Sequence, residues 1–185
     1  IKEYGSALPS EMINAFTGVE GRLKEIRFLV SAQNNFEIIK HAINKTDEGF
    51  KDFIYNNDVN NEIIEQSYKI PCFESMFTEK DYKEIVAEGC FPMLPLTAYS
   101  LLNISEKVAQ NERSIFTFIA NEEKGTVITA IEEGREDLIA VDMVYDYFEN
   151  LFRDNVSLTN IHNEWLKADY AITKAESLAE EKVIK

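Results

Sequence analysis

The stretch Phe91-Pro92-Met93-Leu94-Pro95-Leu96-Thr97-Ala98-Tyr99-Ser100-Leu101-Leu102 decides the fold class. Both prolines lack an amide N–H, so residues 91–95 cannot form the interior of a helix. Pro95 does fit the first turn of a helix, where the missing N–H would have no partner anyway. From Pro95 to about Gln110, the residues Ala98, Leu101, Leu102, Val108 and Ala109 share one face at helical spacing. A second helix is expected from Glu112 to Ala120, with Asn111 as its cap. A proline corner followed by two amphipathic helices is the pattern of an α-helical bundle.

The flanking sequence extends the pattern. Ser31 to Asn44 reads as a helix with Phe36, Ile39 and Ile43 on one face, ended by Gly49. Phe50, Phe53, Ile54, Ile63 and Ile64 suggest helical pieces around an Asn-rich turn at 56–61. Ile70-Pro71 breaks the chain. Thr78, with Asp81 three positions later, predicts a capped helix through Ala87, closed by Gly89. Short helices are expected over 126–132 and from Asp142, as cap, to about Phe152. The last segment, 159–185, reads as one or two helices with Trp165 and Leu166 facing inward. Two places read as strand: the apolar stretch Leu23 to Val30, ambiguous between strand and helix, and the short run Leu138 to Val141. The expected fold is therefore mainly α, a helical bundle with one or two short strands at the N-terminal edge or near residues 138–141.

Composition agrees. The chain has 185 residues with seven Gly and four Pro, where average usage gives about 13 and about 9. So few turn-forming residues leave room for long helices. Lys plus Arg is 19 and Asp plus Glu is 33, a net charge of −14. Residues 1–50 carry six basic and seven acidic side chains, net −1, and residues 51–185 carry 13 and 26, net −13. Such a surface repels a phosphate backbone, so direct nucleic-acid contact by these helices is not expected.

No basic-then-apolar leader and no 18-residue apolar run occurs, so no membrane partner is expected. Cys72 and Cys90 form no C-x-x-C and read as buried thiols of a cytoplasmic protein. His41 and His162 are far apart, and no metal is expected. The chain opens at Ile1 and closes at Lys185 within a helical pattern, so a fragment of a longer protein is expected.

Motifs of complete enzymes are missing. A phosphate-binding loop, G-x-x-x-x-G-K-[ST], needs a Gly-Lys pair, and no glycine here precedes a lysine. G-x-G-x-x-G, G-x-S-x-G and H-E-x-x-H are absent as well. The carboxylates are spread along amphipathic helices, as on a solvated face.

The stretch 91–102, followed by Ile104 to Ile119, resembles a segment of large bacterial P-loop ATPases of the AAA+ type, related to origin-recognition ATPases. There the pattern reads P-L-H-P-L-T-A, an apolar run, then A-Q-N-E-R-S-hydrophobic-F-x-F. The most specific match is Ala109-Gln110-Asn111-Glu112-Arg113-Ser114. Gly21-Arg22-Leu23-Lys24-Glu25-Ile26-Arg27-Phe28 resembles the family's G-R-x-x-E-I-x-F stretch after its core strands. Val141-Asp142-Met143-Val144-Tyr145-Asp146-Tyr147-Phe148 resembles its L-Y-D-Y-F helix start. Glu180-Glu181-Lys182-Val183-Ile184-Lys185 resembles a helix cut off before its end. One position departs: the family's His between the prolines is Leu94, so any polar role of that side chain is lost.

The resemblance implies a lid-side helical fragment that couples nucleotide state to domain movement, with 1–30 as the trailing edge of the ATPase core. It implies ATP and Mg²⁺ in the parent protein, no cofactor in the fragment, and contact with the rest of the parent and with further copies. Arg113, supported by Gln110, Asn111 and Glu112, would be the arginine that senses the γ-phosphate. An always-charged planar fork at a helix start suits that task. The alternative is an ion pair within the domain, with Glu112 or another carboxylate. Arg22 would be an arginine finger toward a neighbouring subunit, or a surface arginine. Tyr145, Tyr147 and Phe148 read as packing residues rather than a base-stacking platform. A helical protein-interaction or scaffold module without nucleotide remains the alternative for the chain as a whole.

Overall fold

Phe36 and Ile39 lie three positions apart and are both sealed from solvent, which fixes the inward face of α1 (Ala32–Ala42). The computed structural model describes residues 32–45, 49–108, 115–123, 125–134, 137–154 and 159–185, all within the compact unit Ser31–Lys185. Among the described residues there are eleven α-helices and no strand.

α2 (Gly49–Tyr55) and α3 (Asp58–Tyr68) follow as a helical hairpin. The Asn-rich turn between them does capping work. Asn57 Oδ1 accepts the amides of Val59 and Asn60 at 3.0 and 3.2 Å, filling two of the donors that a helix start leaves open. Asn60 Nδ2 donates back to the Phe53 carbonyl at 3.1 Å, tying α3 to α2.

Pro71 occupies the first position of the single-turn α4 (Pro71–Glu74), so the expected chain break is a new helix start. Thr78 accepts the Asp81 amide at 3.2 Å, and α5 (Glu79–Asp81) runs on as a π-helix over Tyr82–Ala87. The helical run ends at Ala87, as expected, and Gly89 follows it without a left-handed φ; the described glycines with positive φ are Gly125 and Gly134. Gly89 is needed for closeness instead. A Cβ there would meet the Ile85 carbonyl oxygen at 2.0 Å and the Lys40 Cβ at 3.0 Å.

α6 (Pro95–Val108), α7 (Ile115–Ala120), α8 (Val127–Glu132) and α9 (Val141–Asp154) build the second half of the bundle. α9 is the most strongly amphipathic. Met143, Val144, Tyr147, Phe148 and Phe152 are buried along it at helical spacing. The rings of Phe118, Tyr147 and Phe148 pack edge to face at 5.1 and 5.0 Å between centroids.

α10 (Thr159–Ile172) and α11 (Leu178–Ile184) close the chain. Trp165 is buried as expected. Leu166 is not: it is 47% exposed, because one helical step of about 100° from Trp165 turns it to solvent. Asp142 is also corrected. α9 begins at Val141, one residue earlier, so Asp142 lies within the first turn rather than capping it.

The strand expected near 138–141 reduces to a single parallel bridge between Met93 and Ile139. Pairing stops there because Pro95 opens α6 on one side and Val141 opens α9 on the other. The strand expected at the N-terminal edge lies outside the described residues, as does the domain 1–30. No helix among the described residues is long and apolar enough to cross a membrane.

Candidate functional site

The proline corner is built by backbone groups. The Leu94 amide donates to the Ile139 carbonyl at 2.9 Å, and the Ile139 amide donates to the Pro92 carbonyl at 2.9 Å. Thr97 Oγ1 adds a third bond, to the same Ile139 carbonyl, at 2.8 Å. Met93, Thr97 and Ile139 are sealed from solvent, so these bonds sit where an unmade partner is costly. The Phe91–Pro92 peptide is cis. The Phe91 ring packs against Phe50 and Phe53 at 5.3 and 6.0 Å, which binds the corner to α2 as well. Leu94 contributes to the corner through its amide.

The corner therefore fixes where α6 starts and how α9 approaches it. α6 ends at Val108 and α7 begins at Ile115, so the stretch 109–114 lies in sequence between two core-anchored helices. Leu101 and Leu102 bury the face of α6, and Phe118 and Ile119 that of α7. The nucleotide-sensing candidates Gln110, Asn111, Glu112 and Arg113 lie outside the described residues, and so does Arg22.

The aromatic start of α9 packs as expected. Tyr147 and Phe148 are buried, and Tyr147 Oη lies 2.6 Å from Thr117 Oγ1 across the α7–α9 contact. Tyr145 is half-buried and faces a different environment, a hollow of about 350 Å³ shared with Phe152, Ile161, Trp165, Ala168 and Ile184. Lys185 closes one end, bonded to Asp146 at 2.7 Å and Glu181 at 2.6 Å. Burial pulls against its charge, but hydrogen bonds to Asp146 and Glu181 prevail and hold the Lys185 ammonium above its ordinary range. His162 Nδ1 lies 3.0 Å from the Phe152 carbonyl, and its ring stacks on Trp165 at 5.7 Å. An open hollow of about 530 Å³ follows between Ala171 and Val183.

A second polar cluster was not legible from spacing. Lys45 Nζ donates to the Gly89 carbonyl at 2.8 Å. Desolvation pulls the Lys45 ammonium below its usual range and the Lys40 ammonium adds to the shift, while the Glu88 carboxylate works against it. Glu88 Oε1 accepts from Tyr55 Oη at 3.0 Å, and its other oxygen pairs with Lys51 at 3.3 Å. Residues 33 to 44 positions apart in sequence meet here, so no local pattern announces them. Cys90 is fully buried beside this cluster, and Cys72 is half-buried; neither is in a disulfide.

No protein-family model, curated protein or solved structure matches the chain.

Proposed function

We propose that the chain is the helical lid-side module of an AAA+-type P-loop ATPase, in which Arg113 reads the γ-phosphate. One observation carries the reading. The segment with the most specific resemblance, 109–114, lies between two helices whose inner faces are buried, and α6 starts at a corner fixed by three hydrogen bonds. A charged residue in that stretch would pull directly on helices anchored in the core. Movement would then pass as a rigid-body displacement, since packed cores shift between discrete arrangements. ATP and Mg²⁺ would be held by a phosphate-binding loop encoded upstream of Ile1.

The test is Arg113→Ala in the full-length gene product. ATP turnover should fall by about 10-fold or more, as for other lost phosphate contacts, with the unfolding midpoint unchanged. Unchanged turnover would remove Arg113 from the mechanism.

A second reading, a helical interaction module, is favoured by the outer face of α10 and α11. Tyr170, Leu178 and Val183 are 67%, 68% and 87% exposed beside the larger hollow. A coding sequence upstream of Ile1 without a G-x-x-x-x-G-K-[ST] loop would favour this reading over the first.

A further inference from the structure

Between α1, α4 and α6 lies a cleft of about 300 Å³, at the lower end of the range for small-ligand sites. Its base is apolar. Phe36 and Leu102 are buried there, with Met76 and the half-buried Cys72 beside them. Its mouth is polar and of one sign. Asn35, Ser75, Asn103 and Glu106 line it, and among the described residues no lysine, arginine or histidine does.

The walls are held from several directions. Gln33 Nε2 donates to the Met76 carbonyl, joining α1 to the end of α4. The Phe36 ring packs edge-on against Phe77 at 5.6 Å. Tyr99, also in the lining, packs against Phe73 at 5.7 Å. Asn103 Nδ2 is used by the Tyr99 carbonyl at 2.8 Å, so Asn103 can offer the cleft its Oδ1, an acceptor. Glu106 follows three positions later on the same helix, so the two side chains neighbour each other on its surface.

An apolar base under a polar mouth whose one charged group among the described residues is the Glu106 carboxylate has a definite complement. We infer that the cleft binds a small primary ammonium compound with an aromatic body, its ring over Phe36, Leu102 and Met76 and its ammonium held by Glu106 and Asn103. An ammonium brings three donors and no acceptor, matching a carboxylate and an amide oxygen. The field of a chain with net charge −14 raises the local concentration of cations. The same field and the Glu106 carboxylate repel an anion of equal size. This site is independent of the nucleotide reading, since none of its residues belongs to 109–114.

Phenethylamine is the probe, titrated into the ¹⁵N-labelled 185-residue chain and followed by amide chemical shifts. Saturable shifts should be confined to the neighbourhood of Asn35, Ser75, Asn103 and Glu106. The anion 3-phenylpropanoate, with the same phenylethyl body, should give none. Glu106→Gln keeps the shape of an exposed side chain and should weaken phenethylamine by about tenfold, the loss of one charge-assisted hydrogen bond. Cys72 gives a second readout, because it lines the cleft while Cys90 is sealed. Saturating phenethylamine should slow its alkylation by iodoacetamide several-fold, measured by mass spectrometry. Equal binding of the anion, full affinity in Glu106→Gln, or an unchanged Cys72 rate with no saturable shifts would each overturn the assignment.

Discussion

Thr97 Oγ1 donates to the carbonyl of Ile139 at 2.8 Å across 42 positions of sequence, and both residues are sealed from solvent. This bond joins the first turn of α6 to the segment leading into α9. The Leu94 amide shares the same acceptor, so the oxygen keeps a partner if the hydroxyl is lost. Thr97→Val should therefore cost only about 1 kcal/mol, the net worth of one buried hydrogen bond. Urea unfolding of the variant measures it. A loss several times larger would mean that the hydroxyl, rather than the backbone pair, holds the corner.

Gly89→Ala should be more damaging. The added methyl would lie 2.0 Å from the Ile85 carbonyl oxygen and 2.7 Å from its carbon, both backbone atoms that cannot rotate away. The turn after the π-helix would have to move, and the Lys45–Gly89 hydrogen bond moves with it. The expected loss is about 3 kcal/mol, the upper part of the range for overpacking, read as a fall in the urea midpoint. Gly134→Ala provides the contrast. Among the described residues no heavy atom beyond its chain neighbours lies within 4 Å of a Cβ there, and the strain comes from its φ of +76°, so its cost should be nearer about 1 kcal/mol.

Cys90 predicts how stability depends on alkaline pH. Burial pushes its thiol up to about 12 from an ordinary value of 9.0, with the Lys45 ammonium pulling weakly the other way. Above pH 9 the unfolded chain loses this proton while the folded chain keeps it. The contribution is therefore whole below pH 9 and is lost as pH rises from 9 through 12. By pH 10 the loss reaches about 1.4 kcal/mol. Lys45 works in the opposite sense, because its depressed folded value makes stability rise with pH up to its unfolded value of 10.5. Urea unfolding at pH 8 and pH 10 should show a smaller drop in Cys90→Ala than in the parent chain. Equal drops would mean that other groups, such as Tyr82, whose hydroxyl burial also raises, set the alkaline limit.

The sequence made the helices readable where a signal was local. The Thr78 cap, Pro95 at a helix start and the stripe of α9 follow from local residue chemistry and spacing, whereas Asn57 read only as part of a turn and Pro71 only as a break. Pairings over long separations were not readable. The Ile139 carbonyl collects donors from residues more than 40 positions away, so the 138–141 run looked like a strand although only one residue of it pairs. Leu166 failed for a different reason. An apolar residue next to Trp165 raises the apolar count of either face, and only the neighbouring helices decide which face is inside. The cleft over Phe36 and Leu102 draws its lining from three helices, so no single segment announced it. Gln110, Asn111, Glu112 and Arg113 stand on the resemblance of their motif, between helices whose burial is evident.

Hydrogen–deuterium exchange of the full-length gene product, with ATP against ADP, tests the central claim most directly. With ATP held by Arg113, amides over 109–114 and the start of α7 should be more protected than with ADP, and Arg113→Ala should abolish the difference while leaving the α9 core unchanged. Identical exchange of these amides in both nucleotide states would contradict the account.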